Sequence, residues 1–328
     1  MRERRANWDI LKGLGIFLVV LGHATTGKLS AWIYLFHMPL FFMLSGMLYS
    51  QRPSWWDYAR RKSRHLLVPY FIYLAAFNAG AIGGFAANVL RGMTAEKAAF
   101  YRDHFLSQLS GGTQLSGDLS VFWFITCLFV TQQVYNAISK IPLTLQHTIV
   151  VIAYAIALLN QYSISTITLP WALHIVPMAL VYFHLGHLFV VRRLDRSVKF
   201  FLAACVVSAV VTIVYSLTDA SRFHVNMKGS SYGIPVLSVV IASAFTVTSL
   251  VVARRLERLP KLGRGLSSLG QSSMTILYLH QFVKHKLFWD QGIHQPMVVT
   301  TFTIIVCLGF HWLLTSILAS RAFDRQNR

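Results

Sequence analysis

Two histidines lie in apolar stretches near the start of the chain, and each has the chemistry of a general base. His23 ends an apolar run that begins near Ile10. His37 lies in a second run, which ends at Gly46. An ionisable side chain inside an apolar span is costly, so it indicates a functional site by default. An imidazole with a pKa of about 6.5 suits proton transfer near neutral pH. The alternative is that each histidine only hydrogen-bonds a neighbouring helix.

A pair of arginines further along has the spacing of a phosphate-binding site. Arg61 and Arg64 are three residues apart, so a helix would place them on one face. Planar guanidinium groups bind phosphate oxygens through two parallel hydrogen bonds. The alternative is that the basic run from Arg60 to Arg64 only anchors the chain at the membrane surface.

Asp9 and Lys12 are one helical turn apart at the start of the first apolar run. At this spacing they can form an ion pair, or they can extend separately to the membrane–water interface. His184 and His187 also lie within one turn, but no carboxylate stands at ligand spacing from them. The three cysteines lie in apolar runs without a spacing motif. We therefore predict no metal site.

The composition places these residues in a membrane protein. Hydrophobic residues make up 55% of the 328 residues and charged residues 12%, which excludes an ordinary soluble domain. A bilayer core needs about 20 apolar residues per helix. We predict an all-α integral membrane bundle of about ten helices that forms a single domain over 1–328. The predicted spans are about 10–27, 31–49, 66–88, 121–139, 147–162, 170–191, 199–217, 232–252, 270–288 and 297–320.

The basic residues predict the orientation of these spans. With a cytoplasmic N-terminus, 22 of the 30 lysines and arginines fall inside and 8 outside. This asymmetry follows the positive-inside rule, so we predict an even number of spans with both termini in the cytoplasm. The net charge of +19 is then mainly a topology signal, and we predict no nucleic-acid partner. Arg2, Arg4 and Arg5 are expected to precede an uncleaved first span rather than a signal peptide.

Depth in the membrane follows from a rise of 1.5 Å per residue. His23 would lie about 20 Å above the inner face, His37 about 9 Å below the outer edge, and His280 about 15 Å up the ninth span. Trp123 would lie near the outer end of the fourth span, as an interfacial anchor or as a platform for a sugar. The outside loop from about 88 to 120 would either cover an acceptor or act as a solvated connector.

Several motifs resemble the membrane-bound acyltransferase family 3 proteins, which include the sugar O-acetylases of bacterial envelopes. The fucose 4-O-acetylase-like branch is the most similar. The matching elements, in chain order, are Asp9 to Gly13, Gly22-His23, Phe36 to Gly46, Arg61 with Arg64, Phe122-Trp123-Phe124, and Ile276 to His280.

The resemblance implies roles for individual residues. Arg61 and Arg64, together with Lys12, would bind the acyl-coenzyme A donor at the inner face. His23 would take the proton from a sugar hydroxyl, with an acyl-histidine intermediate as an alternative. His37 would orient His23, bind the acceptor or relay protons. The remaining site candidates are Asp9, Trp123 and His280.

The expected function is therefore that of a membrane acyltransferase in the bacterial inner membrane. It would move an acetyl or similar small acyl group from acyl-coenzyme A, a co-substrate, to a hydroxyl of an envelope glycan or a lipid-linked sugar. No bound cofactor is expected. The main alternative is a multi-span transporter, for which the repeated, discontinuous helices of many transporters are not apparent. A third alternative is a non-catalytic helper of a glycan synthase.

Overall fold

A computed structural model describes residues 6–162, 168–218 and 225–326, with side chains described as far as 317. Helices account for 83% of the structure, and its described part contains no strand. The predicted all-α fold class is therefore confirmed. Five of the basic residues used to predict the topology lie outside the described residues, namely Arg2, Arg4, Arg5, Arg222 and Arg328.

Fourteen α-helices occur in the described ranges. They are α1 (Ala6–Ala24), α2 (Gly27–Tyr34), α3 (His37–Met47), α4 (Trp55–Phe77), α5 (Ala79–Leu90), α6 (Ala95–Ser110), α7 (Trp123–Ile138), α8 (Leu143–Tyr162), α9 (Val176–Val191), α10 (Val198–Leu217), α11 (Leu237–Leu256), α12 (Pro260–Gln271), α13 (Ser273–Leu287) and α14 (Pro296–Gln326). Short 3-10 turns precede α7 and α9.

Seven helical segments of the described chain are long and apolar enough to cross a membrane. An eighth is obtained if α4 and α5 count as one bent span. These eight match eight of the ten predicted spans. The other two correspond to α1 and α13, which form as helices but are not among the segments that qualify. Polar residues lower the mean hydropathy of α1, and α13 has only 15 residues.

The third predicted span differs from the structure at its start and by a bend in its middle. The sequence placed it at 66–88, whereas α4 already begins at Trp55, where Ser54 accepts a hydrogen bond from the amide of Asp57 as an N-cap. The chain bends by 60° between α4 and α5, next to Asn78. Both the backbone amide and the side-chain amide of Asn78 donate to the Leu74 carbonyl, at 3.1 and 2.8 Å, so this residue closes the end of α4. The predicted outside loop of 88–120 contains the helix α6.

The ninth predicted span also begins earlier than expected. The sequence placed it at 270–288, but helical structure starts at Pro260 and is interrupted at Ser272, between α12 and α13. Proline fits the first turn of a helix because its missing N–H has no intrahelical partner there. The run from Pro260 to Gln271 is too polar to be recognised as a span by hydropathy alone.

The chain divides into two compact units. Unit 1 comprises Met1–Phe41, Leu194–Val225 and Val236–Arg328, and unit 2 comprises Phe42–Arg193 and Asn226–Pro235. The prediction of a single domain over the whole chain stays a prediction.

Unit 1 is built around the close packing of α1 against α12. A Cβ atom on Gly13 would collide with the backbone carbonyl of Leu266, and one on Gly270 would collide with that of Asp9. Small residues allow this approach of two backbones inside a membrane protein. The contact brings polar positions of α1 into the protein interior, where Asp9 is only 3% exposed.

Unit 2 contains an equally close crossing between the end of α3 and α9. A Cβ on Gly46 would meet the carbonyl of Phe183, and one on Gly186 would meet that of Met43. Glycine at both positions allows the two backbones to approach this closely. The segment Asn226–Pro235 is held in the same unit by three hydrogen bonds to the end of α8. Asn160 donates to Ser230 at 3.0 Å, the Tyr232 amide donates to Gln161 at 2.6 Å, and Gln161 donates to the Gly233 carbonyl at 3.2 Å.

Candidate active site

In unit 1, His23 lies at the end of α1 beside a tyrosine from α2. The Nδ1 atom of His23 lies 3.3 Å from the hydroxyl of Tyr34, and that hydroxyl is also 3.1 Å from the Gly22 carbonyl oxygen. A phenol has one proton to donate. If that proton goes to the carbonyl, the Nδ1–H of His23 donates to the phenol oxygen, and the proton-accepting lone pair of His23 is on Nε2.

His280 approaches His23 from α13. The two imidazole ring centroids are 5.4 Å apart. The Nδ1 atom of His280 lies 2.9 Å from the carbonyl oxygens of both Ile276 and Leu277. Because carbonyl oxygens only accept hydrogen bonds, Nδ1 carries the proton and Nε2 is left as an acceptor. The residue is 0% exposed, and Nε2 has no hydrogen-bond partner among the described residues. A buried acceptor in this state is suited to receive a substrate proton donor.

Lys284, one of the eight basic residues that the predicted topology places outside, belongs to the same cluster. Lys284 Nζ donates to the backbone carbonyl of His23 at 3.1 Å and lies 4.1 Å from the ring centroid of Trp289. Lys284 is 4% exposed. Its spacing of four residues from His280 was the available signal, because residues four apart share a helix face.

His37 joins this cluster through Tyr34. The His37 Nδ1–H donates to the Ile33 carbonyl at 3.2 Å, and the His37 ring centroid is 4.8 Å from that of Tyr34. The His37 ring and the His23 ring both contact this tyrosine. The sequence analysis did not single out Tyr34, three residues before His37.

Asp9 and Lys12 form the ion pair that the sequence allowed. Lys12 Nζ lies 3.0 Å from the Asp9 carboxylate, which is almost fully buried. A buried carboxylate needs a charged partner, so the pairing accounts for both residues at the start of α1. Their assignments as a donor-binding residue and a further site candidate stay predictions.

In unit 2, Arg61 and Arg64 share one face of α4, as predicted. Together with Arg60, they line an open cavity of about 450 Å³ whose other lining residues are Asp57 and His65. The three arginines are exposed. A cavity with several guanidinium groups is suited to bind phosphate. Their role in donor binding stays a prediction.

Trp123 begins α7 in unit 2 and is 5% exposed. Its indole ring contacts Phe124 with the centroids 6.2 Å apart. An interfacial anchor extends toward the lipid headgroups, so this burial favours a packing role over the anchor role that the sequence suggested. Within the described residues, no group of three or more histidine, cysteine or acidic side chains has the arrangement of a metal site.

The candidate spans and the cluster around His23 define a multi-pass membrane protein with several histidines packed together between helices of unit 1. The family model described as "Acyltransferase domain", acyltransferase family 3, matches residues 5–320. The chain therefore belongs to the membrane-bound acyltransferase family 3, and the predicted family and enzyme class are confirmed. Searches of the curated proteins and of the solved structures gave no match.

Proposed function

We propose that this acyltransferase moves an acetyl or similar small acyl group from acyl-coenzyme A to a hydroxyl of an envelope glycan or a lipid-linked sugar. The observation that carries the proposal is the convergence of His23, His280 and Lys284 in unit 1. These residues supply two imidazoles and a buried cation, which are the groups that hydroxyl activation requires.

In the proposed reaction, His23 is the general base. Its Nε2 takes the proton as the acceptor O–H bond breaks, and the oxygen attacks the thioester carbonyl. The carbon–sulfur bond then breaks and the sulfur leaves as a thiolate. The contact of Nδ1 with Tyr34 orients the ring, and a base held by a third group is the usual arrangement for activating a nucleophile.

His280 and Lys284 support this step. The Nε2 atom of His280 accepts a hydrogen bond from the acceptor molecule and so helps to hold the hydroxyl beside His23. The positive charge of Lys284 stabilises the negative charge that develops on the thioester carbonyl oxygen during the attack. His37 acts as a positioning residue, because it contacts Tyr34.

The arginine cavity of unit 2 is the proposed donor site. Arg61 and Arg64 bind phosphate groups of coenzyme A, with Arg60 as a third cation at the same cavity. The donor is a cytoplasmic metabolite, and the positive-inside asymmetry supports a cytoplasmic location for this end of α4. The proposed location of the protein is the bacterial inner membrane, with both termini inside.

The test is acyl transfer by purified protein in nanodiscs, with labelled acyl-coenzyme A and a hydroxylated glycan acceptor. His23→Ala is expected to reduce transfer by the ~10²–10⁴-fold that follows loss of a general base, and to leave donor binding unchanged. The matched control is His311→Ala, a half-buried histidine of unit 1 whose Nδ1 lies 2.8 Å from the Thr275 hydroxyl. A folded His23→Ala protein with wild-type transfer would refute the assignment. A parallel loss of donor binding would make His23 a binding residue.

A further inference from the structure

The short helix α2 lies in unit 1 between the end of α1 and the pair formed by α10 and α11. On one side of α2, the Ser30 hydroxyl donates to the Gly22 carbonyl at 3.0 Å, and the Tyr34 hydroxyl lies 3.1 Å from the same oxygen. Ser30 and Tyr34 are four residues apart, so they share one face of the helix. This face packs against the end of α1, next to His23.

The opposite face of α2 is bonded to α10. Lys28 Nζ donates to the Ser216 carbonyl at 3.3 Å, and Trp32 Nε1 donates to the Thr212 hydroxyl at 3.2 Å. The Trp32 ring also contacts Phe245 of α11, with the ring centroids 5.3 Å apart. The lysine and the tryptophan are again four residues apart, and a step of two residues separates them from the first pair, which is about 200° around a helix. The same helix therefore holds the end of α10 beside the end of α1.

A narrow groove lies between α10 and α11, beside the bonds that α2 makes. Thr212 and Ser216, which are bonded to α2, belong to the stretch of α10 that forms one wall of the groove. Both α10 and α11 qualify as membrane spans, and several lining side chains are exposed, so the groove opens toward lipid chains. The groove has a volume of about 110 Å³ and is lined by aliphatic side chains and one tyrosine, namely Val210, Val211, Val214, Tyr215, Leu237 and Ile241.

Lys28 adds a positive charge at the end of this groove, because it is bonded to the residue that follows Tyr215. Packing in the groove alone would not distinguish one hydrocarbon chain from another, since lipid tails are as apolar as the groove itself. The Lys28 side chain is exposed, and its ammonium group has three N–H donors, of which the described bond to Ser216 uses one. A lysine in this state is suited to bind phosphate. The groove and the cation together fit a molecule in which a phosphate is attached to a hydrocarbon chain.

We propose that the groove and Lys28 bind the acceptor, and that this acceptor is a sugar linked through phosphate to a long hydrocarbon chain. The chain lies between α10 and α11, the phosphate binds Lys28, and the sugar hydroxyl reaches His23, because α2 brings these two residues to the same end of unit 1. The predicted topology is consistent with this arrangement, since it places Lys28, His23 and the end of α10 toward the outer side. The proposal rests on the proposed function and selects the lipid-linked sugar as its acceptor.

Photocrosslinking tests the binding site without acyl transfer. Protein in phosphatidylcholine nanodiscs is irradiated with farnesyl phosphate that carries a diazirine in its chain, and labelled peptides are mapped by mass spectrometry. Label is expected in 210–215 and 237–241. Excess farnesyl phosphate without the diazirine is expected to reduce this label at least tenfold, whereas farnesol, which lacks the phosphate, and phosphatidylglycerol are expected to leave it unchanged. Label spread evenly over the lipid-facing helices, or equal competition by phosphatidylglycerol, would overturn the proposal.

Substitutions at the two parts of the site test which residues bind the probe. Lys28→Gln is expected to reduce the label at least tenfold, and Lys28→Arg is expected to retain it, because arginine keeps the positive charge. Val214→Trp fills the groove with a bulky ring and is expected to reduce the label to a similar extent. The matched control is Val206→Trp, at an exposed valine of α10 outside the groove, which is expected to be labelled as the wild type is. Wild-type labelling of Lys28→Gln, or an equal loss in both tryptophan variants, would contradict the assignment.

Acyl transfer then connects the groove to the reaction. The acceptor KM is compared for one sugar presented as a farnesyl phosphodiester and as a methyl glycoside, which has neither the chain nor the phosphate. Val214→Trp is expected to raise the KM for the farnesyl acceptor tenfold or more and to leave the KM for the methyl glycoside and for the donor within about twofold. An equal loss with both acceptors would show a structural role and overturn the proposal. Specific labelling of the groove in a protein that transfers no acyl group from acyl-coenzyme A would instead refute the proposed function.

Discussion

At the residue scale, hydrogen-bond partners give the candidate histidines different chemical states. His280 is fixed as an acceptor at Nε2 by two backbone carbonyls, whereas His23 shares its Nδ1 contact with a hydroxyl that can donate or accept. The sequence predicted that His23 and His280 belong to the site, and the structure places their rings in contact. The sequence did not predict Tyr34 or Lys284. Their contacts depend on how α2 and α13 are rotated about their own axes, and a nearly uniform apolar pattern does not define that rotation.

The proposed phosphate-binding role of α4 gives a prediction for single residues. Arg61→Ala and Arg64→Ala are each expected to raise the KM for acyl-coenzyme A about ten- to hundredfold, since one charge-assisted hydrogen bond contributes roughly 1.5–3 kcal/mol. Lysine at either position is expected to restore only part of the affinity, because an ammonium group lacks the planar fork. Steady-state kinetics with varied donor concentration measure both effects.

Arg192→Ala is the control for this prediction, because Arg192 is an exposed arginine in unit 2 that also contributes to the predicted cytoplasmic charge. It is expected to leave the donor KM unchanged. If the two α4 alanine variants saturate with donor as the wild type does, these arginines serve only as membrane anchors.

At the element scale, helix formation was easier to predict than helix ends. Most predicted spans coincide with a helix because long apolar runs are a strong signal. The start of α12 was missed because Pro260 to Gln271 alternates small, polar and basic residues. That helix is stabilised by contact with α1 rather than by its own hydropathy. The bend at Asn78 was missed for the opposite reason. It follows an uninterrupted apolar sequence, so hydropathy gives no sign of a break there.

The packing of α1 against α12 predicts a large difference between two glycines of the same helix. Gly270→Ala is expected to lower the free energy of unfolding by about 1–3 kcal/mol, because its methyl group would overlap the backbone of Asp9. Gly265→Ala is expected to be neutral or to stabilise by up to about 1 kcal/mol, because Gly265 has open space around it and alanine favours the helix.

Thermal unfolding of both variants in the same detergent measures this difference. A higher or unchanged melting temperature for Gly270→Ala would mean that α1 and α12 are further apart than the structure shows.

At the scale of the whole molecule, charge and hydropathy predict an even number of spans, and the described helices give seven or eight candidates by length and composition. Counting the more polar α1 and the shorter α13 as spans restores the predicted ten. The sequence could not show that the chain forms two units whose segments alternate along the sequence, since this depends on contacts between distant segments.

The predicted topology is tested by labelling single cysteines in intact cells. Arg60→Cys and Glu96→Cys each place a thiol at an exposed position, at the start of α4 and in α6. The native cysteines are buried or half-buried, and they are replaced by serine or alanine to give a background without thiols. A membrane-impermeant maleimide is expected to label position 96 in intact cells and position 60 only after the membrane is opened. Labelling of both positions from the same side would contradict the orientation.

The exposure of α5 and α6, the two helices that follow the 60° bend, has one more consequence. Neither α5 nor α6 contains a buried residue, although both are folded and joined by bonds such as Lys97 to Asn88 at 2.9 Å. Substitutions on this hairpin remove few interior contacts, so natural selection can alter it without loss of the packed helices. Relatives that retain the same histidine cluster are free to diverge here. Exchange of the hairpin between family members is therefore expected to leave the packed helices folded.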